Sequence, residues 1–124
     1  MNRQIIKILL AALLSITAVP AIADTFLCSY TAFISDGDKY NSNGAPLNSV
    51  AAIITQDRAN LYALNMGDSE DEYDCLFDTK GQRARIPKML SAGYISPKTK
   101  KTILYGTPYI KVKVYKNSIQ VDLY

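Results

Sequence analysis

Six carboxylates crowd one short stretch of this chain: Asp68, Glu70, Asp71, Glu72, Asp74 and Asp78, with no basic residue among them. Two chemistries use such a run. Acids at alternate positions suit Ca²⁺, a hard cation that takes several oxygen ligands. Asp68, Glu70, Glu72 and Asp74 are the candidate ligands. The EF-hand loop also requires Gly at its sixth position and Glu at its twelfth. Tyr73 and Thr79 stand there, so that motif fails, and the second fragment around Asp36 and Asp38 also lacks the full pattern. Paired carboxylates can instead drive glycoside hydrolysis, one protonated and one ionised, when a fold holds them across a cleft. Neighbours along one loop do not establish such a pair. A small carboxylate-dependent hydrolase is therefore the weakest of three functional expectations.

Other catalytic groups are scarce. The chain has no His, the commonest general base. No G-x-S-x-G surrounds any serine. Cys28 and Cys75 are the only cysteines, far apart and outside any C-x-x-C, which argues against a redox or metal pair. An even count in an oxidising compartment reads as one structural disulfide. An enzyme is not the expectation, and no cofactor is expected, with Ca²⁺ the one candidate ion.

The complementary charge follows the acids. Residues 80–116 hold ten bases and no acid. Tyr94, Tyr105, Tyr109 and Tyr115 are interleaved there with lysines, among them Lys111 and Lys113. Tyrosine offers contact area at low entropic cost and is favoured at interfaces. These six residues form the candidate binding surface. Aromatics among lysines also suit stacking on bases, but a near-neutral exported chain argues against nucleic acid as the partner. Asp57, Arg58 and Asn60 read as a local salt-bridge set on the wet face of a helix.

Export is indicated at the N-terminus. Arg3 and Lys7 precede an apolar run from Ile8 to Val19, Pro20 breaks it, and Ala21-Ile22-Ala23 gives a small-x-small cleavage site. The run is shorter than the roughly 20 residues a spanning helix needs. Residues 1–23 are thus expected to be a cleavable signal and residues 24–124 a single mature domain, periplasmic or secreted. No other segment is apolar and long enough to span a membrane. Arg3 and Lys7 leave with the signal, so the 14 Lys and Arg fall to 12 against 11 acids, a net charge of +1.

The elements that must position these groups follow from periodicity. Thr25–Ile34 is rich in β-branched and aromatic residues and reads as a strand. Ser35–Ala45 is a Gly/Asn/Asp/Ser loop. Leu47, Val50, Ala51, Ile54, Leu61 and Leu64 recur near the helical period, which predicts a helix over 46–65 with Gln56, Asp57, Arg58 and Asn60 facing water. A strand over 50–55 is the competing reading. Cys75, Leu76 and Phe77 are expected to turn inward. Residues 82–92 predict a second helix, kinked or started by Pro87. Ser96-Pro97 starts a third as N-cap and first helical residue, ending at Gly106. Period-two alternation then gives a hairpin, Ile110–Val114 and Ile119–Leu123, turning at Lys116-Asn117. The expected class is α+β: an N-terminal strand, two or three helices on a small antiparallel sheet, a C-terminal β-hairpin and one disulfide.

The leading functional expectation is an exported, non-catalytic binding protein of inhibitor or immunity type, its partner another envelope or secreted protein. The alternative is a glycan-binding subunit of a larger assembly, with tyrosines on sugar and the hairpin edge paired to a neighbour.

Overall fold

Strict alternation over Tyr109–Tyr115 (β3) builds the sheet. Ile110, Val112 and Val114 are buried, while Tyr109, Lys111, Lys113 and Tyr115 are not. The strand returns as β4 (Ile119–Leu123), antiparallel, with Val112 opposite Val121 and Val114 opposite Ile119. The tight turn between them is closed by Tyr115 N–H donating to Ser118 O (2.9 Å). The computed structural model describes residues 23–124. The export-signal reading over residues 1–23 falls, Ala23 apart, outside the described residues.

The N-terminal strand β1 (Phe26–Phe33) pairs antiparallel with β3, from Phe33 opposite Tyr109 to Phe26 opposite Tyr115, with a bulge between Phe26 and Cys28. A two-residue strand, β2 (Tyr94–Ile95), adds in parallel to β4. The order is therefore β1-β3-β4-β2. Three strands are antiparallel as expected; the parallel fourth is an addition. The hairpin lies inside the sheet: β1 runs along one of its edges, and β2 pairs with Gln120 and Val121 on the other.

Four helices cover the apolar side: α1 (Val50–Tyr62), α2 (Lys80–Arg83), α3 (Ile86–Ala92) and α4 (Pro97–Tyr105). Val50, Ile53 and Ile54 of α1, Met89 of α3 and Ile103 of α4 join the strand aliphatics and Phe77 in one buried cluster. The result is a small single α+β domain. No described helix is long and apolar enough to cross a membrane.

Local chemistry explains the helix ends. Ser49 caps α1 through Ala52 N–H (3.2 Å), so the helix starts at Val50 and Pro46 instead bridges to Tyr40 in the preceding loop. At the far end α1 stops at Tyr62, and Asn65 turns left-handed (φ 52°), a conformation Asn tolerates. Leu64 thus lies past the helix and is exposed. Pro87 sits in the first turn of α3, where its missing N–H costs nothing, and the expected 82–92 helix divides into α2 and α3 around it. Ser96 caps α4 through Thr99 N–H (3.1 Å), and Gly106 closes it, as expected.

Two expectations are corrected. Asp57, Arg58 and Asn60 are buried, not on a wet face. The loop carrying Asp38 and the acidic segment pack over that side of α1: Asn60 Nδ2 donates to Asp38 Oδ1 (2.8 Å), and Arg58 donates to Glu72 and Asp74. Of the three residues expected to turn inward, Phe77 is buried and Leu76 half-buried, but Cys75 is exposed. Its sulfur needs only to reach Cys28 at the rim of the sheet, with the two Cα atoms 6.2 Å apart.

Candidate functional site

The acidic segment and the side of the sheet facing away from the core hold all but one of the candidate cation-binding and surface-binding residues. The segment runs alongside β1 as a strap. Strand-edge N–H groups with no neighbouring strand need acceptors, and carboxylates supply them. Glu72 Oε1 accepts from Thr31 N–H and Thr31 Oγ1, both at 2.7 Å, and Asp71 Oδ1 accepts from Phe33 N–H at 2.9 Å. Glu72 N–H in turn donates to Thr31 O (2.9 Å). The Cys28–Cys75 disulfide fastens the same strap further along β1.

Asp74 is the strap's anchor in the core. Its Oδ1 accepts from Leu76 N–H (2.8 Å) and Phe77 N–H (2.6 Å). Its Oδ2 accepts from Arg58 Nη1 (3.0 Å) and Tyr62 Oη (2.8 Å). Arg58 also donates from Nε to Asp57 Oδ2 at 2.8 Å. Burial opposes the charge on Arg58, but Tyr30, Asp57 and Asp74 outweigh it and hold the guanidinium above its ordinary range. Burial pushes the Asp57 carboxyl well up, with Arg58 pulling against it. The Tyr62 hydroxyl is pushed up to about 12 by burial, with Asp74 beside it. Tyr30 Oη, Asp57 Oδ1 and Arg58 Nη2 are buried with no hydrogen-bond partner among the described residues.

The four candidate cation ligands do different things. Glu72 and Asp74 spend their oxygens on Thr31, Arg58, Tyr62 and backbone N–H groups. Asp68 is half-buried, with its N–H donating to Asp71 Oδ2 (2.9 Å), and Glu70 is exposed. Among the described residues, no group of three or more His, Cys, Asp or Glu is placed to hold a metal ion.

The other set converges. Residues opposite each other on neighbouring strands share a side of the sheet. Lys111 stands between Thr31 on β1 and Asp122 on β4, and Lys113 between Ser29 and Gln120. Aromatic pairs close both ends of this double row. Phe33 and Tyr109 have ring centroids 5.0 Å apart, and Phe26 meets Tyr115 edge-on at 5.6 Å. Tyr94, 59% exposed, pairs opposite Gln120 and so joins the same side from β2. Neither lysine forms an ion pair among the described residues, where Arg58 supplies both salt bridges. The outlier is Tyr105, 80% exposed at the end of α4 and so off the sheet.

No family model, curated protein or solved structure matches this chain. The geometry of its own side chains is therefore what speaks to function.

Sequence reasoning missed the burial of Arg58, and the signal was present. Arg58 falls four residues after Ile54 and three before Leu61, on the apolar stripe itself. A charged residue on that stripe, sixteen residues before Asp74, marks a buried ion pair as readily as a solvated one.

Proposed function

We propose that this protein is exported and acts without catalysis, by binding an acidic surface on another envelope or secreted protein, as inhibitors and immunity proteins do. The binding side is the face of the sheet that points away from the core, with Lys111 and Lys113 at its centre, Tyr109 and Tyr115 at its ends and Tyr94 on its rim. One observation supports this: two lysines that form no ion pair among the described residues lie side by side between two aromatic pairs, each with one exposed ring, on the strand face opposite the buried core. Interfaces favour this combination, in which aromatic rings supply buried area and cations supply steering toward an acidic partner. The disulfide supports residence in an oxidising compartment.

The test is a triple variant, Tyr109→Ala with Lys111→Glu and Lys113→Glu, compared with the wild type as bait in envelope extract at low and raised salt. A single wild-type partner is expected, with affinity falling as salt rises and at least about tenfold weaker capture by the variant. Equal capture by a variant of unchanged melting temperature would place the partner surface elsewhere. Retention on a glycan array by the wild type, with no protein captured, would favour the sugar-binding alternative.

A further inference from the structure

On the helical side of the molecule an open cleft of about 330 Å³ lies between α1 and α2. That volume falls at the lower end of small-molecule sites. Ala59 on α1, Ala63 just past its end and Ala84 leave methyl groups where larger side chains would fill the space. The lining is thus largely apolar, with two cations beside it.

Those cations are Lys80 and Arg83, both on α2. Arg83 is only 8% exposed. Its Nη1 donates to Phe77 O (3.1 Å), yet among the described residues the guanidinium forms no ion pair. Arg58, the other buried arginine, has two carboxylates. Unlike Arg58 Nη2, no nitrogen of Arg83 is buried without a partner, so the N–H groups not used on Phe77 O are open to solvent. Arg83 lines an open cleft, so a ligand anion can reach it. A guanidinium presents parallel N–H groups that match a carboxylate's two oxygens.

The cleft does not end at the cations. It shares Ser42 and Leu64 with a second hollow of about 370 Å³ that is lined by Tyr40 and Met66. Leu64 and Met66 are large apolar side chains left exposed. The second hollow also has Asn41, Gln56 and Asn60 in its wall, so the apolar path is the line of Leu64, Met66 and Tyr40; a positive end and that path describe a ligand with an anionic head and a linear tail. We propose that this cleft binds a single-chain amphiphilic carboxylate, an alkanoate, with its head on Arg83 and Lys80 and its chain passing over Leu64 toward Met66. The site is separate from the sheet face and stands whether or not that face binds a protein.

Calorimetric titration of the purified protein with decanoate, below its micelle concentration, tests this. Decanol serves as the uncharged match and acetate as the tail-less one. Saturable single-site binding of decanoate is expected, with decanol and acetate each at least about tenfold weaker. Lys80→Glu and Ala63→Phe change an exposed cation and an exposed methyl at the cleft, so both variants should keep the wild-type melting temperature. Each is expected to weaken decanoate by about tenfold or more. Absence of decanoate binding at millimolar concentration overturns the proposal. So does equal affinity for decanol, or full decanoate binding by the folded Ala63→Phe variant.

Discussion

The Arg58 guanidinium stands over the ring of Tyr30, its central carbon 3.9 Å from the ring centroid. Both side chains are fully buried. A cation over an aromatic face is stabilised by the ring's quadrupole, more so once water is removed. The same guanidinium reaches Asp57, Asp74 and the Glu72 carbonyl. One side chain therefore joins α1, β1 and the acidic strap. Its value to the fold lies in the three elements it holds in one place, more than in either ion pair.

Arg58→Met is expected to cost about 3–5 kcal/mol, because it leaves Asp57 and Asp74 buried without their counter-charge. Arg58→Lys keeps the charge but cannot reproduce the separate Nε and Nη1 contacts, so a smaller loss is expected. Urea midpoints of the two variants check the order. A methionine variant as stable as wild type would remove Arg58 from its central position.

Glu72 gives a pH signature of known sign. Hydrogen bonds from Thr31, side chain first and then backbone, hold its carboxyl below the usual 4.5. A depressed folded-state pKa contributes stability that is fully present above 4.5 and is lost as pH falls through the folded value. The stability difference between wild type and Glu72→Gln should therefore be constant at neutral pH and shrink on acidification below 4.5. Asp71, raised by burial, contributes with the opposite sign. The difference between the two proteins, followed by thermal melts across pH, is the informative quantity.

Loss of the disulfide in a Cys28→Ser, Cys75→Ser variant is expected to cost about 4 kcal/mol on the chain-entropy account, since the two positions are 47 residues apart. Arg58, Asp71 and Glu72 still hold the strap, so unfolding should stay cooperative with a lower midpoint. Denaturation with and without reductant measures it in the wild type, where the exposed Cys75 is accessible.

Gly93 marks a close approach between α3 and β4. A Cβ there would stand 1.8 Å from the Ile119 carbonyl oxygen, which is backbone and has little room to yield. Gly93→Ala should cost about 3 kcal/mol, at the upper end for overpacking. Gly81→Ala meets nothing within 4 Å and is the control. Equal melting temperatures for the two would mean that α3 shifts freely against the sheet.

What could be read from sequence was what local chemistry decides. The Ser96-Pro97 start, the Gly106 stop and the alternation from Tyr109 to Leu123 each need only their neighbours, and each is where expected. The cysteine pairing followed from count and compartment. The parallel pairing of Tyr94–Ile95 with Gln120–Val121 is made by two residues and depends on the placement of α3, so no local pattern announces it. The polar residues of α1 misled because distant segments bury them, the Asp38 loop over Asn60 and the later strap over Arg58. Half of the candidate face was legible: β3 carried its own period, but Phe26 and Phe33 joined it only through the β1 register.

The carboxylate strap has a consequence for how this protein would misassemble. An uncovered strand edge is where another chain adds and cross-β growth begins. Here the N–H groups of Thr31 and Phe33 are occupied by acids, and the opposite edge strand is two residues long. Amyloid nucleation would therefore have to peel the strap away first. Glu72 and Asp71 fill separate N–H groups of that edge, and the disulfide keeps the strap beside β1 by a covalent bond. Reduction of the disulfide, which frees one end of the strap, should therefore be the condition that brings on fibrils.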